Sequence, residues 1–315
     1  MDLSQFRQPN SKKALAVVLT SLVPFLFLMA LSYWLYDYSY WWVIALAIPA
    51  HWFHARLFII MHDSGHNSFT KNATLNTLLG HISGFFFYTP FLMWRQLHNR
   101  HHTNQGNLDR RHHSLDIWLL TTSEYQQAHF FKKALYRFYR NPFVFCMLGP
   151  FVLFLGVFRF PFEHFHKKIV SNILFLNLLI MGIFYFAYKN EILLKLILVQ
   201  APTFSLSFIL AIWLFYAQHQ FEDTVWFRED SYDFEKVGLY GSSYYQTSPF
   251  VNWWTGNIGF HHVHHLDARI PMYRLPEAHL HLTQFYKIKG LHISQTFQLM
   301  KLKLWDEALQ KMVGF

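Results

Sequence analysis

The stretch Phe260-His261-His262-Val263-His264-His265-Leu266 carries three histidines in the spacing H-x-x-H-H. The same spacing recurs at His98-Asn99-Arg100-His101-His102, and His62-Asp63-Ser64-Gly65-His66 supplies H-x-x-x-H. Positions three and four apart share a helix face, so each cluster can aim two or three imidazoles at one point. His62, His66, His98, His101, His102, His261, His264 and His265 together make eight nitrogen donors, too many for one metal ion and suited to two. A lone histidine pair at helical spacing is more often a surface or supporting feature, and short motifs match by chance. These three clusters differ because all of them adjoin apolar runs long enough to cross a membrane. Ionisable residues at such boundaries are costly and usually functional.

Outward from the histidines, the chain has 315 residues, 53% hydrophobic and 20% aromatic, with 14% charged. A soluble domain carries about 25% charged residues, so this composition indicates a membrane protein. No composition break divides it, and a single domain over 1–315 is expected. Apolar runs at about 14–36, 41–61, 173–188 and 192–217 can each span a hydrocarbon core of ~30 Å. The first is too long for a signal-peptide core and lacks a small-residue cleavage site. A fifth run, about 142–158, is interrupted by Gly149-Pro150 and flanked by positive charge at both ends. Ligands of one metal centre must lie on one side of the membrane, so an even number of crossings separates His102 from His261. The fifth run is therefore expected to be embedded without crossing. Phe85-Phe86-Phe87-Tyr88 and Phe91-Leu92-Met93-Trp94 read as a half-buried interfacial stretch, too short to cross. Lys12-Lys13 and the arginines after the second span place both termini and the histidines on the cytoplasmic side. The expected fold is an all-α membrane bundle of about four spans with a cytoplasmic helical cap. Its last segment, Gln295–Val313, is expected to be a helix on the membrane surface.

Imidazole suits iron, copper, nickel and zinc. Cys146 is the sole cysteine, which excludes disulfides within the chain and cysteine-held zinc or iron–sulfur sites. The net charge of +9 reads as cytoplasmic loops and anionic headgroup contact; no aromatic-interleaved basic motif suggests nucleic acid. Glu163-His164-Phe165-His166 resembles half of a carboxylate di-iron motif but lacks its partner, and reads as a charged interfacial loop. His219 follows the last span at the level of the clusters; by position alone it is an interfacial residue or a ninth ligand. Asp63, Asp109, Asn257 and Asp267 lie in or beside the clusters, able either to orient an imidazole or to cap a turn. His262 adjoins His261 and cannot share its helix face.

The boxes, their order and their placement resemble the membrane fatty acid desaturases, nearest in look to bacterial acyl-lipid desaturases of the omega-6 (delta-12) type. The resemblance rests on His62–Asn67, on His98–His102 continuing through Gly106-Asn107-Leu108-Asp109-Arg110-Arg111, on Trp213–Trp226, on Gly241–Tyr245, and most of all on Thr255–Pro271. It implies that the eight box histidines hold two irons. It also makes His219 a ligand, and it implies an oxidoreductase that uses O2 and two external electrons to place a cis double bond in a lipid-linked acyl chain, expected to be of the omega-6 (delta-12) type on an oleoyl chain. Phe215 stands where the acyl-CoA branch has Asn, and His112-His113 stand where relatives tend to have glycine. With no Gly-x-Gly-x-x-Gly loop, no cysteine set and no cytochrome b5-like region, the resemblance implies a ferredoxin-type donor. Two other readings share the motifs: a lipid hydroxylase or oxygenase with the same metal pair, and a His-rich metal transporter. The latter is disfavoured because transporters place ligands near the midplane.

Overall fold

The computed structural model describes residues 2–112 and 116–315, so His113 lies outside the described residues. Helix α1 (Ser11–Leu35) starts on Asn10, whose side chain accepts from the Lys13 N–H at 3.0 Å. Helix α2 (Tyr40–Gly65) returns beside it, started by Ser39. Both are long and apolar enough to cross a bilayer. Large side chains such as Leu19 and Phe27 on α1 face outward, the pattern of a helix solvated by lipid. The α2 helix runs past its apolar stretch because leaving the hydrocarbon does not oblige a helix to stop. It ends where Asn67 takes a φ of 56°. His62 therefore rides on the last turns of the span and His66 is its C-cap residue.

Helices α3 (Ala73–Phe86) and α4 (Phe91–Asn104) are 14 residues each, ~21 Å long and too short to cross. They form a hairpin that enters the membrane layer from the histidine end and comes back. At its tip the Phe86 carbonyl meets His54 Nε2 at 2.9 Å, and the Tyr88 hydroxyl donates to Gln200 at 2.5 Å. Glycine is required at position 80, where a Cβ would lie 2.3 Å from the Phe91 ring. The expected interfacial stretch is thus the bend of a re-entrant hairpin, with Phe87, Phe91, Met93 and Trp94 buried.

After β1 (Leu120–Thr121), α5 (Thr122–Gln127) and α6 (Phe130–Tyr139), residues 144–159 form an irregular arm of π-helical turns around the single α-turn α7 (Gly149–Phe151). Pro150 has no N–H to continue an α ladder. The arm meets α6 at 61°. Helices α8 (Lys167–Lys189) and α9 (Leu193–His219) make the second spanning hairpin, turning at Glu191 with φ 59°. Lys195 pairs with Asp37 at 2.5 Å, so both spanning hairpins turn at the same end. The ends of α2 and α9, and the starts of α1 and α8, lie at the other.

The cap comprises α10 (Phe234–Tyr240), β2 (Tyr244–Tyr245), α11 (Pro249–Trp254), α12 (His261–Leu266), α13 (Leu275–Leu282), β3 (Gly290–Leu291), α14 (Thr296–Leu299), β4 (Leu304–Asp306) and β5 (Lys311–Val313). Its strands are two or three residues long and form the sheets β1-β4-β5 and β2-β3. The helix expected over Gln295–Val313 is not formed. After the short α14, Leu304 pairs with Val313 and Lys311 with Asp306 in an antiparallel hairpin. The Asp306 carboxylate accepts from the Ala308 and Leu309 N–H groups and makes the turn. The hairpin buries Trp305 and Met312 beside Leu108, Leu119 and Trp226. Lys303, expected at the membrane surface, is buried and donates to the Arg140 carbonyl at 2.6 Å. Burial, aided by Arg140, pushes its ammonium down to about 8. Lower down, the buried Arg56 of α2 donates to Ser21 Oγ at 3.0 Å and to the Trp253 carbonyl, satisfying a carbonyl at the end of α11.

Candidate metal centre

Four helices deliver nine histidines to one place. α2 brings His62 and His66; α4 brings His98, His101 and His102; α9 ends on His219; α12 carries His261, His264 and His265. They sort into two groups. His62, His66, His98, His102 and His264 form one, and His101, His219, His261 and His265 the other; within each, the facing ligand atoms all lie within 4.8 Å. The short helix α12 serves both groups because its register splits them: His264 turns to the first, His261 and His265 to the second. The groups touch where the His102 and His265 rings stack at 4.2 Å.

Nitrogen meets nitrogen throughout. His98 and His264 Nε2 lie 3.1 and 3.0 Å from His102 Nε2. His101 and His261 Nε2 lie 3.2 and 3.1 Å from His219 Nε2, and His265 Nε2 lies 3.0 Å from His261 Nε2. Ligands ~2.0–2.1 Å from a shared ion are separated by ~3.0–3.4 Å along a coordination edge, so these spacings suit a cation between the rings. His66 Nε2 is buried without a hydrogen-bond partner, as a ligand atom would be. Burial first, and neighbouring imidazoles second, hold His66, His98, His102, His261, His264 and His265 well below the usual histidine range. They are neutral at pH 7, the form that binds metal. The donor set fits two ions of the imidazole-binding class.

Two carboxylates orient rings from behind. Asp63 Oδ1 sits 3.1 Å from His62 Nδ1, while Asp63 Oδ2 accepts the Met272 N–H at 2.6 Å. Asp116 contacts His101 Nδ1, and His219 Nδ1 faces the Gly241 carbonyl at 3.4 Å. Asp63 and Asp116 place the proton on Nδ1 of their rings and leave Nε2 as the donor, while His219 Nδ1 also lies 3.2 Å from the Gln105 amide nitrogen. Of the four acidic or amide residues singled out in the sequence, only Asp63 does this. Asp109 pairs with Arg228, Asp267 with Arg7 and Arg269, and Asn257 occupies a turn at φ 61° with its amide on the Met272 carbonyl. Asp116 and Gly241 escaped the sequence reading because nothing in their spacing from the boxes marks them. His262 turns away, its Nε2 3.0 Å from His279 Nδ1. Glu163 lies in a loop and pairs with Arg100, outside both groups.

An apolar cavity of about 560 Å³ opens beside the histidines, bounded at one side by His62, His98, His101 and His261. Trp94, stacked on His98 at 4.4 Å, and Leu97 form one wall. Phe58 and Phe154 line another part, and Phe154 in turn stacks on Phe208 at 4.4 Å. Phe138, Leu148 and Val152, which are exposed on the lipid-facing arm and α6, mark its rim. Phe85 and Phe86 line a separate 180 Å³ cavity instead.

Residues 39–297 match the sequence profile of the family described as fatty acid desaturase. A fatty acid desaturase of Bacillus subtilis is 36% identical over 318 aligned positions, covering 99% of this chain and 89% of that protein. The sn-1 acyl-lipid omega-3 desaturase (ferredoxin) of Synechocystis is 30% identical over 70% of this chain and 62% of its own length. An sn-1 oleoyl-lipid 12-desaturase of Picosynechococcus is 32% identical over 36% of this chain and 30% of its own length. Histidines gathered against the inner end of an apolar cavity in a four-span helical bundle thus coincide with a profile match over most of the sequence, and the chain belongs to the fatty acid desaturase family, oxidoreductases of the membrane that act with O2.

Proposed function

We propose that this protein places a cis double bond, of the omega-6 (delta-12) type, in an oleoyl chain that is still attached to a membrane lipid. The observation that carries the reading is the apolar cavity ending against His62, His98, His101 and His261. Relatives named for acyl-lipid and oleoyl-lipid substrates support it, and the relative named for ferredoxin supports a ferredoxin-type donor. The nine histidines His62, His66, His98, His101, His102, His219, His261, His264 and His265 are the proposed iron ligands, divided as the two groups divide. Two irons held there would supply O2 activation and oxidation of an unactivated C–H bond. The chain's own residues do the rest. Trp94, Leu97 and Phe154 keep water out and hold the acyl chain extended toward the histidines, so that position along the cavity selects the carbon. Asp63 and Asp116 hold the ligand rings. The chain acts as one domain, with spans at α1, α2, α8 and α9 and an arm that does not cross. Lys12, Lys13, Lys167 and Lys168 crowd the histidine end, which supports a cytoplasmic site and cytoplasmic termini.

The test is expression, with donor and iron, in a host that makes only monounsaturated lipids, followed by mass-spectrometric assignment of double bonds. The expected product is a diene from oleoyl lipid. A new bond at another position overturns the delta-12 assignment, and a hydroxylated chain without a new double bond overturns desaturation.

A further inference from the structure

The face of α4 turned away from the histidines carries Arg95, Asn99, Arg100 and Thr103. With His166 and Lys168 at the start of α8 it encloses a cleft of about 570 Å³ floored by Leu92 and Ile169. Among the described residues no carboxylate lines it. Arg100 is engaged by Glu163 at 2.5 Å. Arg95 lies over the Phe91 ring at 5.4 Å and, among the described residues, neither it nor Lys168 forms an ion pair. At the floor, the Leu92 N–H donates to Asn172 Oδ1 at 3.0 Å, within the first turns of a membrane span. The cleft is therefore polar and cationic at its rim and apolar where it meets hydrocarbon.

We infer that this cleft binds the phosphate-bearing headgroup of an anionic phospholipid from the surrounding leaflet. Basic pockets between membrane helices at this depth suit such headgroups. Arg95 on α4 and Lys168 on α8 both line the cleft and supply the charge for the phosphate. Asn99 and Thr103 offer hydrogen bonds to glycerol or ester oxygens, and Leu92 and Ile169 receive the start of an acyl chain. The acyl cavity lies on the opposite side of α4, against Trp94, Leu97 and His98, so this is a second lipid site. The bound headgroup ties α4 to α8, and α4 carries His98, His101 and His102. The inference rests on the membrane placement of α8 and is independent of the substrate.

The experiment uses the full chain in nanodiscs of phosphatidylcholine with or without phosphatidylglycerol, with retained lipid counted by native mass spectrometry. The expected result is one phosphatidylglycerol held per chain, retention falling at least tenfold in Arg95→Gln/Lys168→Gln, and recovery in the charge-conserving Arg95→Lys/Lys168→Arg. Equal retention of both lipids, or retention unchanged in the glutamine variant, overturns it. Displacement by millimolar inorganic phosphate would make this a free-anion site and also overturn it. So would a glutamine variant that keeps its lipid yet loses affinity for ferredoxin, since the surface would then serve a protein.

Discussion

An imidazole can hold a cation on one nitrogen only while its proton stays on the other, and Asp63 and Asp116 enforce that arrangement for His62 and His101. Losing such a support characteristically costs 10–100-fold in metal affinity or activity. Asp116→Asn is expected to lower iron occupancy and product formation by about that factor, measured by metal analysis and lipid profiling of the purified protein. A variant with full iron and full activity would remove Asp116 from the account. His264→Ala should lose product formation by more than about 100-fold and lower bound iron, as ligand loss does. His262→Ala, one to three residues from three of the gathered histidines but facing His279, should keep wild-type iron and lose stability alone. The histidines were legible in the sequence because three- and four-residue spacing is written locally. Asp116 was not: it reaches His101 from fifteen positions away through a loop, a contact that only tertiary structure creates.

At the scale of elements, apolar runs declared the four long helices, since a stretch of ~20 apolar residues has few other uses. Their ends were less legible: a span was read as stopping where its apolar residues stop, whereas α2 and α9 continue until His66 and His219 are reached. The C-terminal hairpin was misread as a helix because β4 and β5 are three residues each, too short to show alternation, and the burial of Trp305 depends on β1 from far upstream. The α3–α4 hairpin is held closed by the absence of a side chain at Gly80. Gly80→Ala would drive a methyl into the Phe91 ring, an overpacking cost of about 1–3 kcal/mol, and would lever α4 away from α3. The expected result is a lower thermal midpoint in detergent together with reduced iron content, because His98, His101 and His102 move with α4. Unchanged iron at a lower midpoint would show that α4 is positioned from elsewhere.

Across the whole molecule, both spanning hairpins turn at the end marked by Asp37 and Lys195, so the opposite end holds the termini and the histidines. In a Cys146→Ser background, cysteines placed at Asp37 or Glu191 should react with an impermeant maleimide from outside the cell, and one at Lys12 only after lysis. Labelling of Lys12→Cys in intact cells would reject the cytoplasmic orientation. Acid should disassemble the centre. The buried imidazoles have folded-state affinities for protons well below their ordinary value of 6.5, so below about that pH the unfolded chain binds protons that the folded one refuses. Stability is therefore full above pH ~6.5 and falls as pH drops below it, with metal release in the same direction. Iron retention and thermal midpoints measured from pH 8 to pH 5 check this; a flat profile would contradict it. The division of the histidines also has a consequence for biosynthesis. Four of the five in the first group have been translated by residue 102, with His264 to follow, but the second has only His101 until residue 219 and is incomplete until residue 265. A nascent chain can close around one ion early, whereas its neighbour must wait until translation is almost over, so the paired centre is a product of the finished polypeptide.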